Sequence, residues 1–269
     1  MNKLSSLSHI KRTANTRPEI SPSAIFIEYV LDRSGSMCSM GDIPTDQTLK
    51  FIEDQYKITS DTNTPTFLSL TTFDDKAETW LDNQDIRTLN IPDKDTLKKW
   101  IQPRGFTRLY DTSIERLHKL EENVEEYLNN LPKSVKILNP HIVKQFILLT
   151  DGLDNDSEYT SLELKNTLIK SRKDGVIGIF LAANQDAIIT GQQYGFSPQT
   201  SITYSSTPSG AKNVMDAMSN VVRHTSAGSQ QIRFSQLERF SSCPTQYPTN
   251  NNLTNIVGTP LKRSKLVRQ

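Results

Sequence analysis

Residues 24–36 read AIFIEYVLDRSGS, and the fold turns on them. Ala24 to Leu31 is a nearly continuous apolar run, as expected of a central strand covered on both faces rather than one with a wet side. The run stops at Asp32. The loop that follows, Asp32-Arg33-Ser34-Gly35-Ser36, carries one carboxylate and two hydroxyls at alternate positions. A tight, Gly-containing loop of this kind can turn three oxygens toward one point.

Outward from that strand the pattern alternates. Leu49, Ile52 and Tyr56 fall at helical spacing within 45–60. TFLSLTTF (66–73) reads as a strand, and KAETWL (76–81) as a short antiparallel edge strand beside it. Residues 93–101 suggest a short helix. Ile114, Leu117, Val124, Leu128 and Leu131 share one face of a helix over 112–131, and Thr112 with Glu115 has the spacing of a capping box at its start. VKQFILLT (143–150) and VIGIFLAA (176–183) are two further buried strands, with a helix between them capped by Thr160 and Glu163 and ending near Gly175. Residues 201–205 form a sixth candidate strand. Val214, Met218 and Val221 mark a last helix that ends near Gly228. Strands alternating with helices imply an α/β fold, a doubly wound and mostly parallel sheet flanked by helices. Ligands in such sheets sit at the carboxyl ends of the strands, where strand order reverses.

The expected organisation is an N-terminal extension (1–22), one domain (23–228) and a C-terminal tail (229–269). The tail is rich in Ser, Thr, Asn and Pro, and it is expected to be mostly disordered because it cannot bury enough apolar surface to offset its ordering entropy. The chain has 269 residues, 35% of them apolar, enough for one core. Its net charge of +1 hides an uneven distribution. Residues 1–20 carry +3 and residues 229–269 carry +5, which leaves −7 for the residues between. An acidic body with basic ends is not the footprint of a dedicated nucleic-acid-binding domain, so contact with nucleic acid is expected only through the tail. The N-terminus lacks the apolar stretch of a secretion signal, and no run approaches the roughly 20 apolar residues of a membrane span. Cys38 and Cys243 form no CxxC pair, so neither a disulfide framework nor a zinc knuckle is supported. These features set the expectation of a cytoplasmic, intracellular protein.

Three loops at one edge of the sheet carry the chemistry. The first holds Asp32, Ser34 and Ser36. The strand at 143–150 ends in Thr150-Asp151-Gly152 and delivers Asp151 to the same edge. Between them, Gly105-Phe106-Thr107 offers the Thr107 hydroxyl just ahead of a helix. Five hard oxygen groups with no imidazole or thiolate suit Mg²⁺, Mn²⁺ or Ca²⁺. A phosphohydrolase of the haloacid dehalogenase type also places an Asp at a strand end beside Mg²⁺. It needs a second carboxylate two residues on, where this chain has Ser34. No Gly-rich loop with Lys is present for a nucleotide, and none of the four His suits a serine hydrolase.

The segments VLDRSGSM (30–37), GFTRLYD (105–111) and ILLTDG (147–152) resemble, in order and rough spacing, the three parts of the metal ion-dependent adhesion site of von Willebrand factor A-type domains. The similarity covers about residues 24–228. The family usually has a small residue, often Gly, before the Thr, and here it is Phe106. Residues 181–187, LAANQDA, are more loosely similar to intracellular members from bacteria, phages and large DNA viruses. The resemblance implies a binding module, not an enzyme. Two Ser and the Thr hold the ion directly or through water, the two Asp lie partly behind them, and a partner protein's Asp or Glu fills an open position. Arg33, Phe106, Arg108 and Asp154 are candidates for the rim around that position, although capping and solvation suit Asp154, like Asp111, better.

Overall fold

The computed structural model describes residues 22–183, 185–229 and 232–246. Six strands form one sheet: β1 (Ala24–Asp32), β2 (Thr66–Phe73), β3 (Ala77–Asp85), β4 (Ile142–Thr150), β5 (Val176–Ala183) and β6 (Ser201–Tyr204). Their order is β3-β2-β1-β4-β5-β6, with every pair parallel except the β2–β3 hairpin. The helices are α1 (Ile43–Thr62), α2 (Lys94–Trp100), α3 (Leu109–Asn130), α4 (Lys133–Lys136), α5 (Ser161–Lys173), α6 (Ala187–Tyr194), α7 (Pro208–Ser226) and α8 (Gln236–Ser242). Among the described residues no helix is long and apolar enough to cross a membrane.

The apolar run in β1 follows from its place. All nine residues are buried, because the strand lies between β2 and β4 and is covered on both faces. Ile25, Ile27, Tyr29 and Leu31 alternate toward a core shared with α1, α2 and α7. Ala24, Phe26 and Val30 face a second core built with α3, α5 and α6. Glu28 points to that second face and is buried too, its carboxylate bound by both Nε and Nη2 of Arg116 from α3 at 2.8 and 3.1 Å.

Strand order reverses between β1 and β4. Leu31 stands opposite Leu149 in their parallel register, so Asp32 and Asp151 leave the sheet side by side. That juxtaposition locates the crevice.

Two local expectations need correction. The long helix begins at Leu109, not Thr112. The Thr112 hydroxyl donates back to the Arg108 carbonyl at 2.7 Å, so Thr112 and Glu115 form no capping box. The Thr160–Glu163 box does form. The folded unit also continues past Gly228. Ser235 and Glu238 make a second capping box at the start of α8, and Arg239 donates to the carbonyls of Ser201 and Pro198 at 2.6 and 2.8 Å. Phe234 and Cys243 are buried there, so residues 232–246 belong to the domain. The N-terminal extension through residue 21 and the tail from residue 247 lie outside the described residues.

Candidate metal centre

Asp32 ends β1 with its side chain fully buried. One carboxylate oxygen accepts the Ser34 backbone N–H at 2.7 Å, and this bond curls the loop. The other accepts the Thr150 hydroxyl at 2.6 Å and ties the ends of β1 and β4 together. Ser34 and Ser36 hydroxyl oxygens lie 3.0 Å apart, and Ser36 donates to Asp151 at 2.6 Å. Thr107 joins from the third loop. Its backbone N–H donates to the Asn155 side chain at 2.8 Å, and its carbonyl accepts the Asn155 N–H at 3.0 Å. A Cβ built on Gly152 would lie 3.6 Å from the Ser36 hydroxyl oxygen and 3.9 Å from that of Thr107, so both hydroxyls face one spot beside the Asp151 loop. The structure thus brings Asp32, Ser34, Ser36, Thr107 and Asp151 to one edge of the sheet.

The electrostatics of this group favour a cation. Burial lifts the Asp32 carboxyl to about 6, against the hydrogen bonds from Thr150 and Ser34, and the neighbouring Asp151 charge adds to the rise. Burial also raises Asp151, while the Ser36 bond pulls it back. Two carboxylates share a partly desolvated edge, held by hydroxyls and a backbone N–H. A divalent cation would offset the cost of keeping both ionised. The donor set is all oxygen, which fits a hard ion. Among the described residues no group of three or more His, Cys, Asp or Glu is placed to hold a metal. A cation here would therefore lean on hydroxyls.

No family model matches the chain, and no curated protein sequence matches it. Solved structures do. The pilus adhesin SpaC from Lactobacillus rhamnosus GG, in an open conformation, superposes with a TM-score of 0.52 over 78% of this chain and 31% of its own, at 13% identity. The vWF domain of the type V pili tip protein Mfa5 from Porphyromonas gingivalis gives 0.49 over 76% of this chain and 96% of its own, at 10% identity. The doubly wound, mostly parallel sheet flanked by helices is thus a fold shared with the SpaC adhesin. Proximal thread matrix protein 1 from the mussel byssus, in a structure described as having a zinc-occupied MIDAS motif, gives 0.47 at 18% identity. This chain covers 77% of itself in that match and 47% of the byssus protein, under half of its length. Pilus and byssus proteins lend nothing to the intracellular subgroup expected from residues 181–187.

Around the crevice the rim differs from expectation. Phe106 is 64% exposed and stands immediately before Thr107. Arg108 is partly exposed and pairs with Asp111 at 2.7 Å and Glu158 at 3.3 Å. Arg33, by contrast, is not on a rim. It is 1% exposed, because its guanidinium turns back under the loop toward Asp74, Glu78 and the Trp100 carbonyl. Asp154 is not free either. One of its oxygens accepts the Leu109 and Tyr110 N–H groups at 2.8 and 3.2 Å, capping α3 from a distant loop.

Sequence reasoning missed several neighbours. Leu153 is 62% exposed on the Asp151 loop. Gln185 donates to the Gly152 carbonyl at 3.3 Å. Asp74 and Arg104 lie beside two of the three loops. The pair Asp74-Asp75 does follow a strand on the same edge of the sheet, and that was the available signal.

Proposed function

We propose that this is a von Willebrand factor A-type domain and a metal-dependent protein-binding module. Asp32, Ser34, Ser36, Thr107 and Asp151 hold one divalent cation, Mg²⁺ by preference of its all-oxygen donors, with Mn²⁺ or Ca²⁺ as substitutes. The observation that carries this reading is the convergence of three hydroxyls and two carboxylates from three loops at the point where strand order reverses. When bound, the cation supplies a Lewis-acidic coordination position for an Asp or Glu of a partner protein.

The chain's own residues do the rest. Asp32 is fully buried behind the serines, so it anchors the loop and contributes charge at one remove. Ser36 is exposed and Asp151 half-buried, so both face the incoming partner. Three neutral hydroxyls in a set of five keep the ligand charge low, which leaves a bound cation attractive to one more carboxylate. Phe106 replaces a small residue and gives the partner an apolar contact beside the metal. The hydroxyls of Ser36 and Thr150 already donate to Asp151 and Asp32, which makes them parts of the cation cradle, and binding without chemistry is the reading this donor set supports.

The test is a pull-down with the purified chain in Mg²⁺, in EDTA, and with Asp32→Ala. Capture only with metal and intact Asp32 is the expected result. A partner retained in all three conditions would move binding away from this edge, to the helix faces or the basic C-terminal tail.

A further inference from the structure

The two loops that supply Ser34, Ser36 and Thr107 are joined by two backbone hydrogen bonds. Gly35 N–H donates to the Gly105 carbonyl at 3.3 Å, and Arg104 N–H donates to the Arg33 carbonyl at 2.8 Å. A fourth loop, between β2 and β3, grips both. Asp74, its first residue, is fully buried. One carboxylate oxygen accepts Arg33 Nε at 3.0 Å and Arg104 Nε at 2.5 Å. Arg33 stands between the two candidate ligands Asp32 and Ser34, and Arg104 lies three residues before Thr107. The Asp74 carbonyl also accepts the N–H of Arg108, the residue after Thr107, at 2.8 Å. Glu78 on β3 bonds both guanidinium groups a second time, that of Arg104 at 2.6 Å. Trp80 lies under Arg33 at 5.9 Å and stacks on Trp100 at 5.3 Å.

We infer that Asp74 is a positioning residue for the metal centre: through Arg33 and Arg104 it fixes the spacing between the Asp32–Ser36 loop and the Thr107 loop. The inference rests on the metal-binding reading above. Three facts support it. The groups Asp74 holds flank the candidate ligands in sequence, so a shift in either arginine moves a ligand. The fork of each guanidinium engages two carboxylates, which defines direction as well as distance. The cluster is charge-balanced, Arg33, Arg104 and Lys76 against Asp74, Asp75 and Glu78, so it orders the loops without placing net positive charge beside a cation. Gly105 reports the same tightness. Its φ is +67°, and a Cβ there would fall 2.7 Å from an Asp75 carboxylate oxygen.

Arg104 makes the inference testable, because its side chain is 47% exposed and its loss leaves the core intact. Mn²⁺ is titrated calorimetrically into the full-length chain, and the unfolding midpoint is measured in EDTA beside it. Removing a positive charge near a cation site would, by charge alone, tighten binding. The clamp predicts the opposite sign: Arg104→Met weakens Mn²⁺ by roughly tenfold, the usual scale for a residue that orients metal ligands. Arg104→Lys keeps the charge but loses the fork, and it is expected to stay several-fold weaker than wild type. Wild-type affinity, or tighter binding, in both variants would overturn the clamp and leave the metal site standing. A wild-type chain that takes up no Mn²⁺ would remove the metal reading, and the clamp with it.

Discussion

Ser36 and Asp151 are 115 residues apart in sequence, yet the Ser36 hydroxyl donates to the Asp151 carboxylate at 2.6 Å. The bond closes the crevice across the point where β1 and β4 diverge. A cation held by the hydroxyls and carboxylates of these loops would bind the folded chain alone, since the unfolded chain never assembles the three loops. Mg²⁺ at 100 times its Kd should then stabilise the domain by about 2.7 kcal/mol. For a domain of this size that raises Tm by roughly 5–10 °C. Thermal unfolding in Mg²⁺ and in EDTA measures the difference, and Asp151→Ala should erase it. Identical midpoints for the wild type in the two conditions would count against the site.

The buried Glu28–Arg116 pair makes a second prediction. Its side chains are 1% and 5% exposed, so either charge is costly once alone. Arg116→Met should destabilise by about 3–5 kcal/mol, while Glu28→Leu with Arg116→Met should come close to wild type. The pH dependence carries a sign. Burial lifts the Glu28 carboxyl from 4.5 to about 7, outweighing the pull of Arg116. The folded chain therefore keeps a proton that the unfolded chain has released. Its stabilising contribution is full below pH 4.5 and is lost as pH rises through 7. Denaturant unfolding in EDTA should show stability falling across that window, with a shallower fall in the double variant. Some slope remains there, because Asp32 is raised to about 6 and acts in the same direction. A double variant with the wild-type slope would refute the assignment to Glu28.

What sequence could and could not reveal follows from the range of the interactions involved. The β1 run and the Asp32-to-Ser36 loop are legible because a strand covered on both faces must be apolar along its length, and because carboxylate and hydroxyls recur at fixed local spacing. Arg33 sits inside that loop and reads as exposed, as a charged loop residue usually is. Its burial depends on Asp74 and Glu78, 41 and 45 residues away. The start of α3 fails for the same reason. Thr112 and Glu115 have the right local spacing, but the N–H groups that need partners belong to Leu109, Tyr110 and Asp111, and Asp154 and Ser157 accept them. Helix α6 was missed because it is only eight residues long and contains Gly191, which packs closely against Phe180 and Ser201. Helix α8 is polar overall, and two apolar anchors, Phe234 and Cys243, hold its segment down.

Asp154 separates capping from partner contact. Its carboxylate accepts two first-turn N–H groups of α3 and the Ser157 hydroxyl, and Ser157 in turn accepts the N–H groups of Tyr110 and Asp111. A negative group at a helix N-terminus both fills orphan donors and meets the positive end of the helix dipole. Asp154→Ala should therefore cost about 1–2 kcal/mol of stability, as loss of a strong cap does. Asp154→Asn keeps an acceptor and loses only the charge, so most of that stability should return, short by roughly 0.3–1 kcal/mol. Phe106→Ala behaves oppositely. With 64% of its surface exposed it should leave stability within about 0.5 kcal/mol, and its effect should appear in metal-dependent capture. Unfolding curves and pull-downs on the three variants distinguish the two roles. If Asp154→Ala abolished capture at unchanged stability, Asp154 would belong to the binding rim after all, and the start of α3 would need another anchor.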